Sequence, residues 1–159
     1  MTINIGDRLP AGEFKTMTSD GPTGISVDDI FAGKTVVLFA VPGAFTPGCS
    51  LKHMPGYVQN ADSIKAKGVD VIACMAVNDV FVMDAWGRDQ KAGDKVLLLA
   101  DGSGEYTAKL GLELDVSKFG MGKRCKRFSM LVKDGVVQTL NIDATGVDKT
   151  SAETMLTQL

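Results

Sequence analysis

The chain has 159 residues, of which 45% are apolar and 23% charged, with a formal net charge of -2. That length suits one globular domain, so residues 1–159 read as a single unit whose apolar content builds a core without disulfide staples. The charge balance leaves no broad basic field for nucleic acid and no basic tail for a membrane surface, and no apolar run approaches the roughly 20 residues that span a bilayer.

Along the chain, the first residues lack an apolar stretch behind a positive one and do not read as a signal peptide. Residues 12–28 read as a hairpin turning at Ser19-Asp20-Gly21-Pro22. Ser26 is placed to cap a short helix over 27–31, with Asp28 and Asp29 in its first turn and Gly33 past its end. The run TVVLFAV at 35–41 has no polar alternation, which predicts a central strand buried on both faces. A helix follows over about 48–66, with a bend expected at Pro55-Gly56 and an end at Gly68. A strand over 69–77 comes next, then a helix over about 79–92, capped by Asn78 or Asp79 and with Val82 and Trp86 on one face. Residues 96–100 predict a short buried strand, and 103–110 a short helix. The clearest hairpin joins 127–133 to 136–143 through Asp134-Gly135, a two-residue type I′ signal. Residues 150–159 predict a last helix. Repeated βα units give a parallel centre and the late hairpin an antiparallel pair. The result is an α/β fold, a mixed central sheet with helices on both faces, of which the thioredoxin-like fold is one member.

The chemically loaded segment is VPGAFTPGCS, residues 41–50. It takes the chain from the apolar strand through a Gly/Pro turn to Cys49 at the start of a helix. Unpaired backbone N–H groups and the helix dipole there favour a thiolate. Pro47 suits the first helical position. Thr46 stands at the N-cap, where its hydroxyl could accept from the N–H of Gly48 or Cys49, or bond the sulfur or a substrate oxygen. Gly48 lets a ligand come close to the backbone. A buried, inert cysteine filling a gap is the bland alternative; the Pro and Gly flanks argue for function.

These residues resemble the active-site signature of the peroxiredoxins, Pro-x-x-x-Thr/Ser-x-x-Cys, here Pro42, Thr46 and Cys49. VPGAFTPGCS with the following HMPGY is similar to the type II (peroxiredoxin-V-like) subgroup. The likeness continues through VIACMAVND, AWGRDQKA, LLADGSGEYTAKLGLELD and KRFSMLVKDGVVQTLNID. The resemblance implies a thioredoxin-like fold and reduction of hydrogen peroxide and organic hydroperoxides, without metal or organic cofactor. It makes Cys49 the peroxidatic cysteine, oxidised to a sulfenic acid. It makes Thr46 the group that orients peroxide and thiolate, and Arg127 the late-strand arginine that steadies both. It gives Pro42 the task of shielding the sulfur, the backbone near Gly48 and Cys49 that of binding peroxide, and Phe45 and Phe119 that of apolar walls. It also implies a homodimer and an antioxidant role in cell redox homeostasis. Some members of the subgroup carry a resolving cysteine near the C-terminus; residues 143–159 hold none, a departure that argues against an intramolecular disulfide cycle and for a one-cysteine cycle. The expected reductant is therefore external: glutathione with glutaredoxin, or thioredoxin.

Three cysteines, Cys49, Cys74 and Cys125, are an odd number that fits free thiols in a reducing compartment, by default the cytoplasm; a mature organelle protein would look the same. Cys74 reads as core. Cys125 lies among Lys123, Arg124, Lys126 and Arg127, which should lower its pKa, and two-residue alternation would put it on one face with Arg127. That leaves a minor regulatory or resolving role open for it. His53, the only histidine, is one helical turn after Cys49; a Cys/His dyad or metal pair is conceivable, but packing or a surface hydrogen bond is the usual use of such spacing. No cysteine spacing suits zinc. Two rival functions remain at this point: a peroxide-sensing protein relaying oxidation to partner thiols, and a Cys-dependent hydrolase, which would need His53 as its base.

Overall fold

In the computed structural model, which describes residues 2–159, the chain runs β1 (Glu13–Thr18), β2 (Gly21–Ser26), α1 (Val27–Phe31) and β3 (Thr35–Ala40). A π-helical turn (Cys49–His53) then leads directly into α2 (Met54–Ala66), followed by β4 (Val71–Ala76), α3 (Val80–Asp89), β5 (Leu97–Ala100) and α4 (Glu105–Leu110). Two three-residue strands, β6 (Glu113–Asp115) and β7 (Lys123–Cys125), flank a 3-10 turn (Ser117–Phe119). β8 (Arg127–Lys133), β9 (Val136–Asp143) and α5 (Ala152–Gln158) complete the chain. The main sheet has the order β2-β1-β5-β4-β3-β8-β9. β3, β4 and β5 are parallel, and the flanking pairs are antiparallel.

β3 lies inside this sheet because nothing along it tolerates water. Val36 through Ala40 are fully buried. Its alternate residues feed two different cores. Val37 and Phe39 face one packed by α2, α3 and α5; Val36, Leu38 and Ala40 face another packed by α1 and α4. Helices thus cover both faces of a mixed sheet, the thioredoxin-like arrangement.

Local chemistry explains the boundaries. Ser26 caps α1 with a complete capping box to Asp29. Asp134 and Gly135 both have positive φ (47° and 77°), the geometry of the type I′ turn. Asp79, not Asn78, caps α3 by accepting from the Val82 N–H. α3 stops at Asp89 because Lys91 (φ 57°) and Gly93 (φ 52°) turn left-handed. Its buried face is Val80, Met83, Trp86 and Gly87, with Val82 only half-buried. Pro55 lies inside the helical run that begins at Pro47, and the irregularity expected there takes the form of the π turn immediately before it. β6 and β7 form a separate two-stranded sheet that no sequence pattern signals. Among the described residues, no helix is long and apolar enough to cross a membrane.

Candidate active site

Cys49 sits where β3 gives way to helix. The chain is helical from Pro47, and the Thr46 carbonyl accepts the first helical bond, from the Ser50 N–H at 3.0 Å. The sulfur therefore belongs to the first turn, as the sequence predicts. Two contacts hold this turn down. The Asn78 side chain accepts from the Ala44 N–H at 2.9 Å, and the Trp86 indole donates to Ser50 Oγ at 3.0 Å. Phe45, at φ 65°, adopts a left-handed backbone that a bulky side chain rarely takes, so the loop is held in shape against local strain.

Cys49 is fully buried, and one cation reaches it. Arg127 opens β8 on the same side of the sheet as Leu131, the side that packs against Cys49. Its Nη2 donates to Cys49 Sγ at 3.1 Å, and its Nη1 donates to His53 Nδ1 at 2.7 Å. The ion pairs among the described residues are Lys15–Glu13 and Arg88–Asp84, so no carboxylate neutralises Arg127. A half-buried guanidinium whose partners are a sulfur and a neutral ring is a positive charge aimed at the thiol. Gly48 follows from the same geometry: a Cβ there would lie 3.3 Å from Arg127 Nη2. The close approach Gly48 allows is by the arginine itself. Gly43 likewise makes room for Arg124 and Met121, and Arg124 donates to the Val77 and Met121 carbonyls, bracing the far side of the loop.

Thr46 departs from its expected bonding. Its hydroxyl donates to the Gly43 carbonyl at 2.7 Å and does not cap Gly48 or Cys49. With its proton so used, the oxygen can only accept from a newcomer, such as a peroxide O–H. Neither Gly48 nor Cys49 donates its N–H to another group among the described residues, so both remain available as donors. Beside the site lies a cavity of about 310 Å³, lined in part by Pro42, Leu114, Lys126, Arg127 and Ile142. Phe45 and Phe119 do not line it; they are 53% and 70% exposed.

His53 is fully buried, neither on the surface nor bonded to Cys49. Desolvation, helped by the Arg127 charge, lowers its pKa to about 3, so it stays neutral in the cell. A neutral ring whose bare nitrogen is engaged by a guanidinium is no general base for the thiol, which removes the hydrolase reading. Sequence spacing placed His53 near Cys49, but its real partner lies 74 residues away in the chain.

The other thiols differ. Cys74 is buried in β4, where desolvation raises its pKa well above the ordinary thiol value. Cys125 does not behave as its basic neighbours predict. Burial pushes it up to about 12, and it packs in the opposite core from Cys49. The alternation argument fails because β7 ends at Cys125 and pairs with β6, and Lys126, bonded through its N–H to the Leu112 carbonyl, separates it from β8.

Residues 4–156 match the redoxin family. Peroxiredoxin-2E, chloroplastic, from Arabidopsis thaliana is 48% identical over 99% of this chain and 70% of its own length. The chain belongs to the peroxiredoxins. Peroxiredoxin-2B of Arabidopsis thaliana is also 48% identical, over 91% of this chain and 90% of its own. The crystal structure of reduced Prx3 in complex with hydrogen peroxide, from Vibrio vulnificus, superposes with a TM-score of 0.95 at 49% identity, covering 99% of each chain. This peroxiredoxin is accordingly a thiol peroxidase, an oxidoreductase with a thioredoxin-like fold. The rival sensing role finds no favour among these relatives.

Proposed function

We propose that Cys49 is the peroxidatic residue of one catalytic domain spanning the chain, and that it reduces hydrogen peroxide and organic hydroperoxides. The observation that carries this reading is the 3.1 Å contact from Arg127 Nη2, a cation without a carboxylate partner, to the Cys49 sulfur. The thiolate attacks the nearer peroxide oxygen. A sulfur–oxygen bond forms, the O–O bond breaks, and the departing oxygen takes a proton and leaves as water or alcohol. Sulfur is oxidised by two electrons to a sulfenic acid. Arg127 donates to the peroxide oxygens as charge moves between them, and the N–H groups of Gly48 and Cys49 add to this. Thr46 accepts the peroxide hydrogen and so sets the direction of attack. Pro42 shields the sulfur at the edge of the neighbouring cavity, whose apolar lining at Leu114 and Ile142 suits an alkyl group. Phe45 and Phe119, both exposed, serve as outer apolar surface. The Vibrio vulnificus Prx3 complexed with hydrogen peroxide supports the same substrate here.

Regeneration comes from an external thiol, glutathione with glutaredoxin or thioredoxin. Cys125 lies in the other core and Cys74 inside a central strand, which favours a partner molecule's sulfur over either. That thiol condenses with the sulfenic acid, releasing water, and a second thiol reduces the mixed disulfide. Exposed Phe45, Leu51, Phe81 and Phe119 offer apolar surface for a homodimer. Three free thiols suit the cytoplasm, or a reducing organelle such as the chloroplast named for the 2E relative. Stopped-flow consumption of hydrogen peroxide tests the core of this: wild type turns over with one of the two reductant systems, and Cys49→Ser does not. Undiminished activity of Cys49→Ser would refute it.

A further inference from the structure

The contact between His53 and Arg127 raises the question of what fixes the imidazole. Its partners dictate its tautomer. A carbonyl can only accept, so Nε2 bears the hydrogen and donates to the Thr150 carbonyl at 3.0 Å. A guanidinium can only donate, so Nδ1 is bare and receives Arg127 Nη1. The Thr150 carbonyl also accepts from the Tyr57 hydroxyl at 3.0 Å, and the Tyr57 ring stacks on Phe39 with centroids 4.0 Å apart. One buried carbonyl therefore anchors two side chains of the helix that follows Cys49.

That carbonyl sits on a turn with its own clamp. Asp143 Oδ2 accepts from the N–H of Asp148 (3.0 Å), the N–H of Thr150 (2.9 Å) and the Thr150 hydroxyl (2.7 Å); Oδ1 accepts from the Lys149 N–H (3.2 Å). Asp143 ends β9 directly opposite Arg127 in the β8–β9 ladder. A carboxylate opposite a guanidinium ordinarily pairs with it. Here four donors from the turn occupy the carboxylate, and the guanidinium is left to the imidazole and the sulfur. Burial works to raise the Asp143 carboxyl, and the bonds from Asp148, Thr150 and Lys149 outweigh it, holding it below the usual carboxylate range.

We propose that the Asp143-clamped turn at 148–150 is a positioning device for Arg127: it presents the carbonyl that sets the His53 tautomer, and the bare Nδ1 then aims the guanidinium at Cys49. Asp143 lines the neighbouring cavity beside Arg127, but its carboxylate bonds neither the sulfur nor the guanidinium; its hydrogen-bond partners all lie in the 148–150 turn. It is a positioning residue that acts through His53, and its clamp also withholds its own charge from Arg127. The kinetic arm of this proposal rests on the assignment of Cys49 and Arg127 above; the tautomer arm does not.

His53 is the only histidine, so the ring nitrogen-15 spectrum of the whole protein contains one imidazole. It should show a protonated Nε2 and a bare Nδ1; an Nδ1–H tautomer overturns the proposal whether or not Cys49 is the peroxidatic residue. Kinetics supply the second test. Asp143→Ala should slow reaction with hydrogen peroxide about tenfold in the wild-type background, but less than about twofold when His53 is already Gln. Equal losses in both backgrounds would mean Asp143 acts independently of His53, and a wild-type rate for folded Asp143→Ala would mean it does not act at all; either result overturns the proposal. Should Asp143→Ala fail to fold, Thr150→Val removes one of the four bonds and enters the same cycle, with about a threefold loss expected only where His53 is present.

Discussion

Cys49 and Cys125 make an instructive pair. Both are free and fully buried. Cys125 has four basic residues beside it in the chain; Cys49 has none closer than Lys52. Yet the cation reaches Cys49, from 78 residues away, while Cys125 packs near Thr107 and Asp101 with its pKa driven upward by burial. Sequence neighbours place charge along a strand, but the sheet decides which face that charge serves. Arg127 and Cys125 leave their strands toward opposite cores, so one basic cluster delivers a guanidinium to the distant thiol and none to the adjacent one.

Four substitutions would break or sharpen this contrast. The largest effect is expected at the charge itself. Arg127→Lys keeps a cation but loses the fork that holds sulfur and imidazole together, and its rate with hydrogen peroxide should fall about 100-fold by stopped flow. Gly48→Ala sets a Cβ against Arg127 Nη2 and should cost about tenfold in the same measurement with little change in unfolding midpoint. His53 predicts a stability effect. Its pKa falls from 6.5 unfolded to about 3 folded, so the unfolded chain binds the extra proton between these values, and stability is lost as pH falls through that window. Urea unfolding should therefore show His53→Gln losing less stability than wild type between about pH 7 and about pH 5, by on the order of 1–2 kcal/mol. The smallest kinetic effect belongs to Cys125→Ala, which should react with peroxide at the wild-type rate while losing about 1 kcal/mol of stability from the vacated core.

Much of this was readable beforehand because it is local. The unbroken apolar run of β3, the capping box at Ser26, Asp134-Gly135 and the Pro47 helix start each carry their reason within a few residues. The segment around Cys49 was readable for the same cause. What was missed is what long-range contacts decide. β6 and β7 are too short to show a pattern and exist because they find each other. Asn78 looks like a helix cap and instead holds the Ala44 N–H across the loop. The Thr46 hydroxyl looks like a cap and turns to Gly43. His53 spaces like a helical neighbour of Cys49, but its bonds run to Arg127 and Thr150, 74 and 97 residues away. Cys125 escapes the alternation because β7 ends there and Lys126 breaks the run before β8.

The central claim is that placement of one guanidinium, not local sequence charge, selects which thiol reacts. Treating the reduced protein with one equivalent of hydrogen peroxide in the presence of a sulfenic-acid trap, then mapping the adduct by mass spectrometry, tests it directly. The account predicts an adduct on Cys49 alone, formed about 100-fold more slowly in Arg127→Lys. An adduct first on Cys125 or Cys74, or equal rates in the two proteins, would contradict it.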